Sequence, residues 1–186
     1  MNKPKLTELN RKFLLETLPE PLYRASSHLQ IFDNYIANTR MRLRLIRDPQ
    51  SKQWSRRLQQ RTTAGEIDQH NISLFEMHLN DAEYAVFERF RGSEIRKNRY
   101  FHDFGTESWC FDVYLGEPRG LCIGTVVFAL EEDPVNFEPP PFALIEITGD
   151  AYFAGENLVK KTYAEIREEV ARLGKSVDTT AFAADD

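Results

Sequence analysis

Arg40-Met41-Arg42-Leu43-Arg44-Leu45 is the stretch on which the reading of this chain turns. In an extended strand successive side chains point to opposite faces, so Arg40, Arg42 and Arg44 share one face and Met41, Leu43 and Leu45 the other. The same parity recurs along the chain. Glu8, Asn10 and Lys12 share a face against Leu9 and Phe13, Arg57, Gln59 and Arg61 share another, Lys97 and Arg99 a third, and Asp112 lies opposite Phe111 and Val113. Strands of this kind can bury the apolar face and leave the charges in water, or curl until the charged faces line a lumen. Alternation alone does not choose between the two.

Outward from this stretch, the pattern predicts strands over 7–15, 30–35, 39–47, 53–62, 71–79, 95–104, 109–115, 120–130 and 142–149. Asn38 is available for the turn between the second and third, and Asp48-Pro49 ends the third. Gly116-Glu117-Pro118-Arg119-Gly120 reads as a hairpin turn. Asn80 is placed to cap a helix over 81–91, with an apolar stripe through Ala82, Val86, Phe87 and Phe90 and a stop at Gly92. A second helix follows the period Leu158, Tyr163, Ile166, Val170 and Leu173 and is expected to stop at Gly174. Residues 1–174 read as one domain and 175–186 as a disordered tail. Many antiparallel strands and few helices predict an α+β, mainly β fold, either sandwich or barrel.

The 186 residues carry a net charge of −5, which argues against a general nucleic-acid or membrane-surface binder. Yet arginines crowd into 40–61 and 89–99, while acids dominate from Glu131 onward. A basic site inside an acidic protein suits a small enclosed anion better than a long polymer. No apolar run is long enough to span a bilayer and the first residues have no signal-peptide core, so a cytoplasmic location is expected. Cys110 and Cys122 have no metal-ligand spacing and read as reduced core thiols. His28, His70, His78 and His102 show no mutual spacing that suggests a metal site or catalytic pair.

Arginine suits phosphate because its planar fork donates two parallel hydrogen bonds. With the arginine strand in view, the order of several further segments resembles the CYTH, or triphosphate tunnel, superfamily, in its bacterial inorganic-triphosphatase-like branch. Glu8-Leu9-Asn10-Arg11-Lys12 resembles the family's E-x-E-x-K signature, and Arg57-Leu58-Gln59-Gln60-Arg61 the strand that ends in a catalytic-site lysine. Lys97-Asn98-Arg99-Tyr100 resembles its K-x-R-Y strand, Phe111-Asp112-Val113-Tyr114 with Gly120-Leu121 its D-V-F…G-L segment, and Glu146-Ile147-Thr148-Gly149-Asp150 its E-V-T-x-D strand. The resemblance runs over about residues 5–162. It implies a closed antiparallel β-barrel, a tunnel of about eight strands, with flanking helices. It further implies Arg40, Arg42, Arg44, Arg57, Lys97 and Arg99 as phosphate-binding residues, Lys12 and Arg61 as catalytic residues, and Glu8, Glu146 and Asp112 as metal ligands for Mg²⁺ or Mn²⁺.

The chain departs from that pattern at three carboxylates. Asn10 replaces one glutamate of the first signature, and Thr125 and Val127 stand where an A-E-V-E strand would carry two more. Two functions follow from the resemblance. One is a metal-dependent hydrolase of inorganic triphosphate or a related triphosphate. The other is a catalytically impaired domain that binds tripolyphosphate, a nucleoside triphosphate or another small anion. Neither reading includes nucleic acid or membrane as a partner, and both are compatible with a homodimer.

Overall fold

The computed structural model describes residues 6–63, 71–90, 92–128 and 136–182, with side chains for all of these except 6–8, 61–63, 71–73 and 175–182. Nine strands run in chain order: β1 Leu6–Leu15, β2 His28–Ile36, β3 Met41–Arg47, β4 Trp54–Thr63, β5 Asn71–Leu79, β6 Gly92–Phe104, β7 Glu107–Leu115, β8 Cys122–Phe128 and β9 Ile145–Glu146. They form one antiparallel sheet in the order β5-β4-β3-β2-β6-β7-β8-β1-β9, and β5 pairs in addition with β1. That further pairing sets Leu6–Leu9 against Asn71–Leu74. Helix α1 (Asp81–Phe87) follows β5, and a 3₁₀ turn (Ala151–Phe153), α2 (Gly155–Leu158) and α3 (Tyr163–Phe182) close the chain. The fold is mainly β with few helices.

Local chemistry explains most boundaries. Asn38 takes φ 60°, the left-handed conformation Asn tolerates, and so turns the β2–β3 hairpin. Gly116 and Gly120 do the same between β7 and β8, at φ 74° and 84°. At α1 the Asn80 side chain accepts from the Glu83 backbone N–H while the Glu83 carboxylate accepts from the Asn80 N–H, a reciprocal cap.

Several expected boundaries differ. Helix α1 ends at Phe87 instead of residue 91, and Gly92 opens β6 rather than stopping a helix. A Cβ at Gly92 would lie 2.2 Å from the Tyr35 carbonyl, so close approach of β6 to β2 requires the glycine. The expected strand over 142–149 shortens to Ile145–Glu146, and the expected last helix divides into α2 and α3. Helix α3 passes through Gly174 to Phe182, because Gly174 does not take the left-handed conformation of a C-cap glycine.

The two faces of the sheet differ as the alternation predicts. On one, Phe13, Leu15, Tyr100, Trp109, Phe111, Val126 and Phe128 form a cluster, covered by Leu18, Leu22, Phe137 and Phe142. Trp109 and Phe111 stack with centroids 5.7 Å apart, and Phe142 meets both edge-on. Elsewhere on this face Leu43, Leu58 and Leu79 pack against Tyr84 and Phe87 of α1. Each such fully buried side chain contributes about 1.5–3 kcal/mol.

The other face carries the charges, and one end of it is apolar. There Leu14, Ile95, Tyr114 and Ile123 pack with Ile147, Phe153, Leu158 and Ile166 from the C-terminal segment. Gly155 is the tight point, where a Cβ would stand 1.7 Å from Tyr35 Oη. Gly155→Ala therefore forces this seam apart and should cost about 1–3 kcal/mol, the usual range for overpacking. Urea unfolding of the variant checks it, and an unchanged midpoint would refute the seam.

Candidate functional site

The hairpin β2–β3 builds the first half of the site. Its register sets Asp33 opposite Arg44 and Tyr35 opposite Arg42. Asp33 is fully buried, and its two oxygens accept from Arg44 Nε at 2.6 Å and Nη2 at 2.7 Å, with Arg42 Nη1 3.3 Å away. Arg42 also donates to Tyr35 Oη at 3.2 Å and to Gln59 Oε1 through Nε at 3.0 Å. Strand β4 continues the face, with Arg57 opposite Arg44 and Gln59 opposite Arg42. Glu76 of β5 then accepts from Arg57 Nη1 at 3.0 Å and from the Gln59 amide.

Strands β6 and β7 build the second half. Arg99 lies opposite Asp112 and Lys97 opposite Tyr114. Asp112 accepts from Lys97 Nζ at 2.6 Å, from Arg99 Nε at 2.6 Å and from Arg99 Nη2 at 2.7 Å. The same face continues to Lys12 of β1, which pairs with Thr125 of β8, and Thr125 pairs with Cys110 of β7. Among the described residues this face carries five cations with these partners (Arg42, Arg44, Arg57, Lys97 and Arg99) against three carboxylates (Asp33, Glu76 and Asp112).

Burial sets the electrostatics. Burial by itself would raise the Asp33 carboxyl, but the guanidiniums of Arg42 and Arg44 outweigh it and hold the group far below the carboxylate range. Asp112 is likewise held down, by Arg99 and Lys97 against burial. Burial pushes the Lys97 ammonium down to about 7, aided by like charge from Arg99 and Arg44 and opposed by Asp112. Burial and the nearby Asp112 raise the Tyr114 phenol well above its ordinary value.

Placed against the sequence expectations, the structure brings Arg42, Arg44, Arg57, Lys97, Arg99 and Asp112 onto one face with Lys12. Arg40 does not join them. It sits exposed in the turn before β3, where Thr39 Oγ1 donates to the Ile36 carbonyl and the strand begins only at Met41. Glu146 is also elsewhere. It is exposed on the opposite face, opposite Phe13 in register, and its carboxylate accepts from Arg11 at 2.9 and 2.5 Å. The Glu8 and Arg61 side chains lie outside the described residues. Asp33 is the residue the sequence reading passed over. Its signal was present, since a turn centred between Asn38 and Thr39 pairs position 33 with 44.

The donors do not fit a divalent ion among the described residues. No group of three His, Cys, Asp or Glu side chains there could hold one. Asp112 already accepts three charged hydrogen bonds, and Glu146 faces away.

Asp33→Asn leaves Arg42 and Arg44 without their shared buried counterion, and removing one partner of such a pair costs about 3–5 kcal/mol. The pH dependence has a definite sign. The folded pKa of Asp33 lies below its ordinary 3.8, so its stabilisation is complete above about pH 4 and is lost as pH falls further. Wild type should therefore lose more stability than Asp33→Asn between pH 7 and pH 3 in urea unfolding. Equal acid losses would refute the assignment.

No protein-family profile matches the chain. An inorganic triphosphatase of Acetivibrio thermocellus is 35% identical over 74 residues, 40% of this chain, and the match spans 46% of that enzyme's length. The crystal structure of the inorganic triphosphatase NE1496 superposes with a TM-score of 0.57 at 21% identity, over 84% of this chain and 96% of that one. Another crystal structure, of the hypothetical protein NE1496, gives a TM-score of 0.58 at 21% identity, over 84% and 99% of the two chains. Likeness at that identity speaks for the fold, and the shorter sequence match for descent. With the cationic face and the ordered motifs, they make this chain a homologue of the CYTH-like inorganic triphosphatases.

Proposed function

We propose that this protein binds a triphosphate-like polyanion in a lumen lined by the charged face of the sheet. The observation that carries the reading is burial of an excess of cations: Arg42, Arg44 and Lys97 are no more than 7% exposed, and Arg57 and Arg99 share their face. A charged face that is buried while the apolar face is also covered is what a sheet curled around that face would give. The pairing of β5 with β1 supports such closure, since it links the first strand of the sheet order to a strand near its far edge. The acids engage the Nε–Nη2 edge of Arg44 and of Arg99, which leaves the Nη1 side of each guanidinium to meet phosphate oxygens. Arg57 Nε is buried with no hydrogen-bond partner and offers a further donor.

Hydrolysis of inorganic triphosphate, the activity named for the relatives, is the second reading, favoured by the matches themselves. In it Lys12 and Arg61 act at the reacting phosphate and Mg²⁺ or Mn²⁺ is the cofactor, with Glu8 as the remaining candidate ligand. No step is derived through that ion.

Sodium tripolyphosphate is expected to raise the melting temperature, and the rise should shrink as salt increases from 50 to 500 mM. Arg57→Gln should weaken tripolyphosphate binding by about tenfold, roughly one charge-assisted hydrogen bond. Titration calorimetry measures it. No melting shift and no heat of binding at low salt would overturn the reading. Phosphate release with Mn²⁺ or Mg²⁺, measured against Lys12→Ala, decides the hydrolytic version.

A further inference from the structure

We infer that Asp112 is an internal counterion that positions Lys97 and Arg99, and that the polyanion is bound without a divalent ion. The inference rests on the polyanion reading above and specifies how the charge is offset. A carboxylate presents about four lone-pair sites. At Asp112 three are occupied, Oδ1 by Arg99 Nε and Oδ2 by Arg99 Nη2 and Lys97 Nζ, all within 2.7 Å. A divalent ion at the fourth site would stand a few ångströms from two cationic groups in a buried setting, where like charges repel most strongly.

Among the described residues the neighbouring rows add one carboxylate, the exposed Asp103, which pairs with Ser108 and accepts from its hydroxyl at 2.8 Å. Going across the sheet beside Asp112, Cys110 pairs with Thr125 and Thr125 with Lys12, while Val127 pairs with Asn10. Thus across β7, β8 and β1 the next two rows hold Cys110, Thr125 and Lys12, then Ser108, Val127 and Asn10, with no carboxylate. Of the other expected ligands, Glu146 is bound to Arg11 on the opposite face, and the Glu8 side chain lies outside the described residues. Asp33 repeats the Asp112 arrangement, with both oxygens held by Arg44 and Arg42 close by. Two such clusters on one face form a consistent design: each carboxylate holds cations rigid, and the cations outnumber the carboxylates. The residual positive charge can meet a polyanion directly.

The test is titration calorimetry of the full chain with sodium tripolyphosphate, in EDTA and again in excess Mg²⁺. Dissociation constants that agree within about threefold are expected, a difference under 1 kcal/mol. Binding at least tenfold tighter with Mg²⁺ would overturn the inference while leaving the polyanion reading intact. Absence of binding in both buffers would overturn both. Asp112→Asn separates the two roles. As a positioning counterion its loss both removes a negative charge from the cluster and releases Lys97 and Arg99, so the affinity measured in EDTA should change by threefold or more. As a metal ligand its loss would leave the EDTA value unmoved and weaken only the Mg²⁺ value, and that pattern would overturn the inference. Circular dichroism establishes that the variant is folded. If it is not, the two wild-type titrations decide the matter alone.

Discussion

Buried charge is tolerable only when it is paired, and the charged face of this sheet depends on two carboxylates that do the pairing. Asp33 holds Arg44 by both oxygens and lies beside Arg42, while Asp112 holds Arg99 by two bonds and Lys97 by a third. Taking even one such ion out of water carries a penalty of several kcal/mol unless its hydrogen bonds are replaced. The register of β2 against β3, and of β6 against β7, is therefore constrained from the charged side as well as from the core. A slip of one residue would move Asp33 and Asp112 to the apolar face and strand the cations.

The apolar elements frame this network instead of competing with it. The aromatic cluster around Trp109 and Phe111 lies on the reverse face of the strands that carry Asp112 and Lys97. The C-terminal segment packs Ile147, Phe153, Leu158 and Ile166 over the apolar end of the charged face. Tyr35 joins the two systems, since its ring packs against that end and its hydroxyl accepts from Arg42. Among the described residues no helix is long and apolar enough to cross a membrane.

Much of the site was legible because strand parity is rigid. Arg42, Arg44, Arg57, Lys97, Arg99 and Asp112 were picked by alternation and motif order, and they meet on one face. Arg40 fails the same rule because alternation holds only inside a strand, and the turn at Asn38 delays β3 until Met41. Glu146 fails for a related reason. Its two-residue strand takes its orientation from pairing with Phe13 and Leu14, partners more than a hundred residues away, which local pattern cannot supply. Asp33 is hard to read locally because a lone acid between Phe32 and Asn34 is unremarkable until its cross-strand partner is identified.

By itself the sequence determined that the chain is mainly β, that its strands have one charged and one apolar face, and which cations share a face. These follow from the two-residue period of an extended backbone and from local turn and cap chemistry. Only the tertiary structure decided which acid each cation meets, that Arg42, Arg44 and Lys97 are buried, that Asp112 is occupied by Lys97 and Arg99, and that Glu146 lies on the other side. Those outcomes depend on long-range register and on what covers each face, and neither is encoded in any short segment.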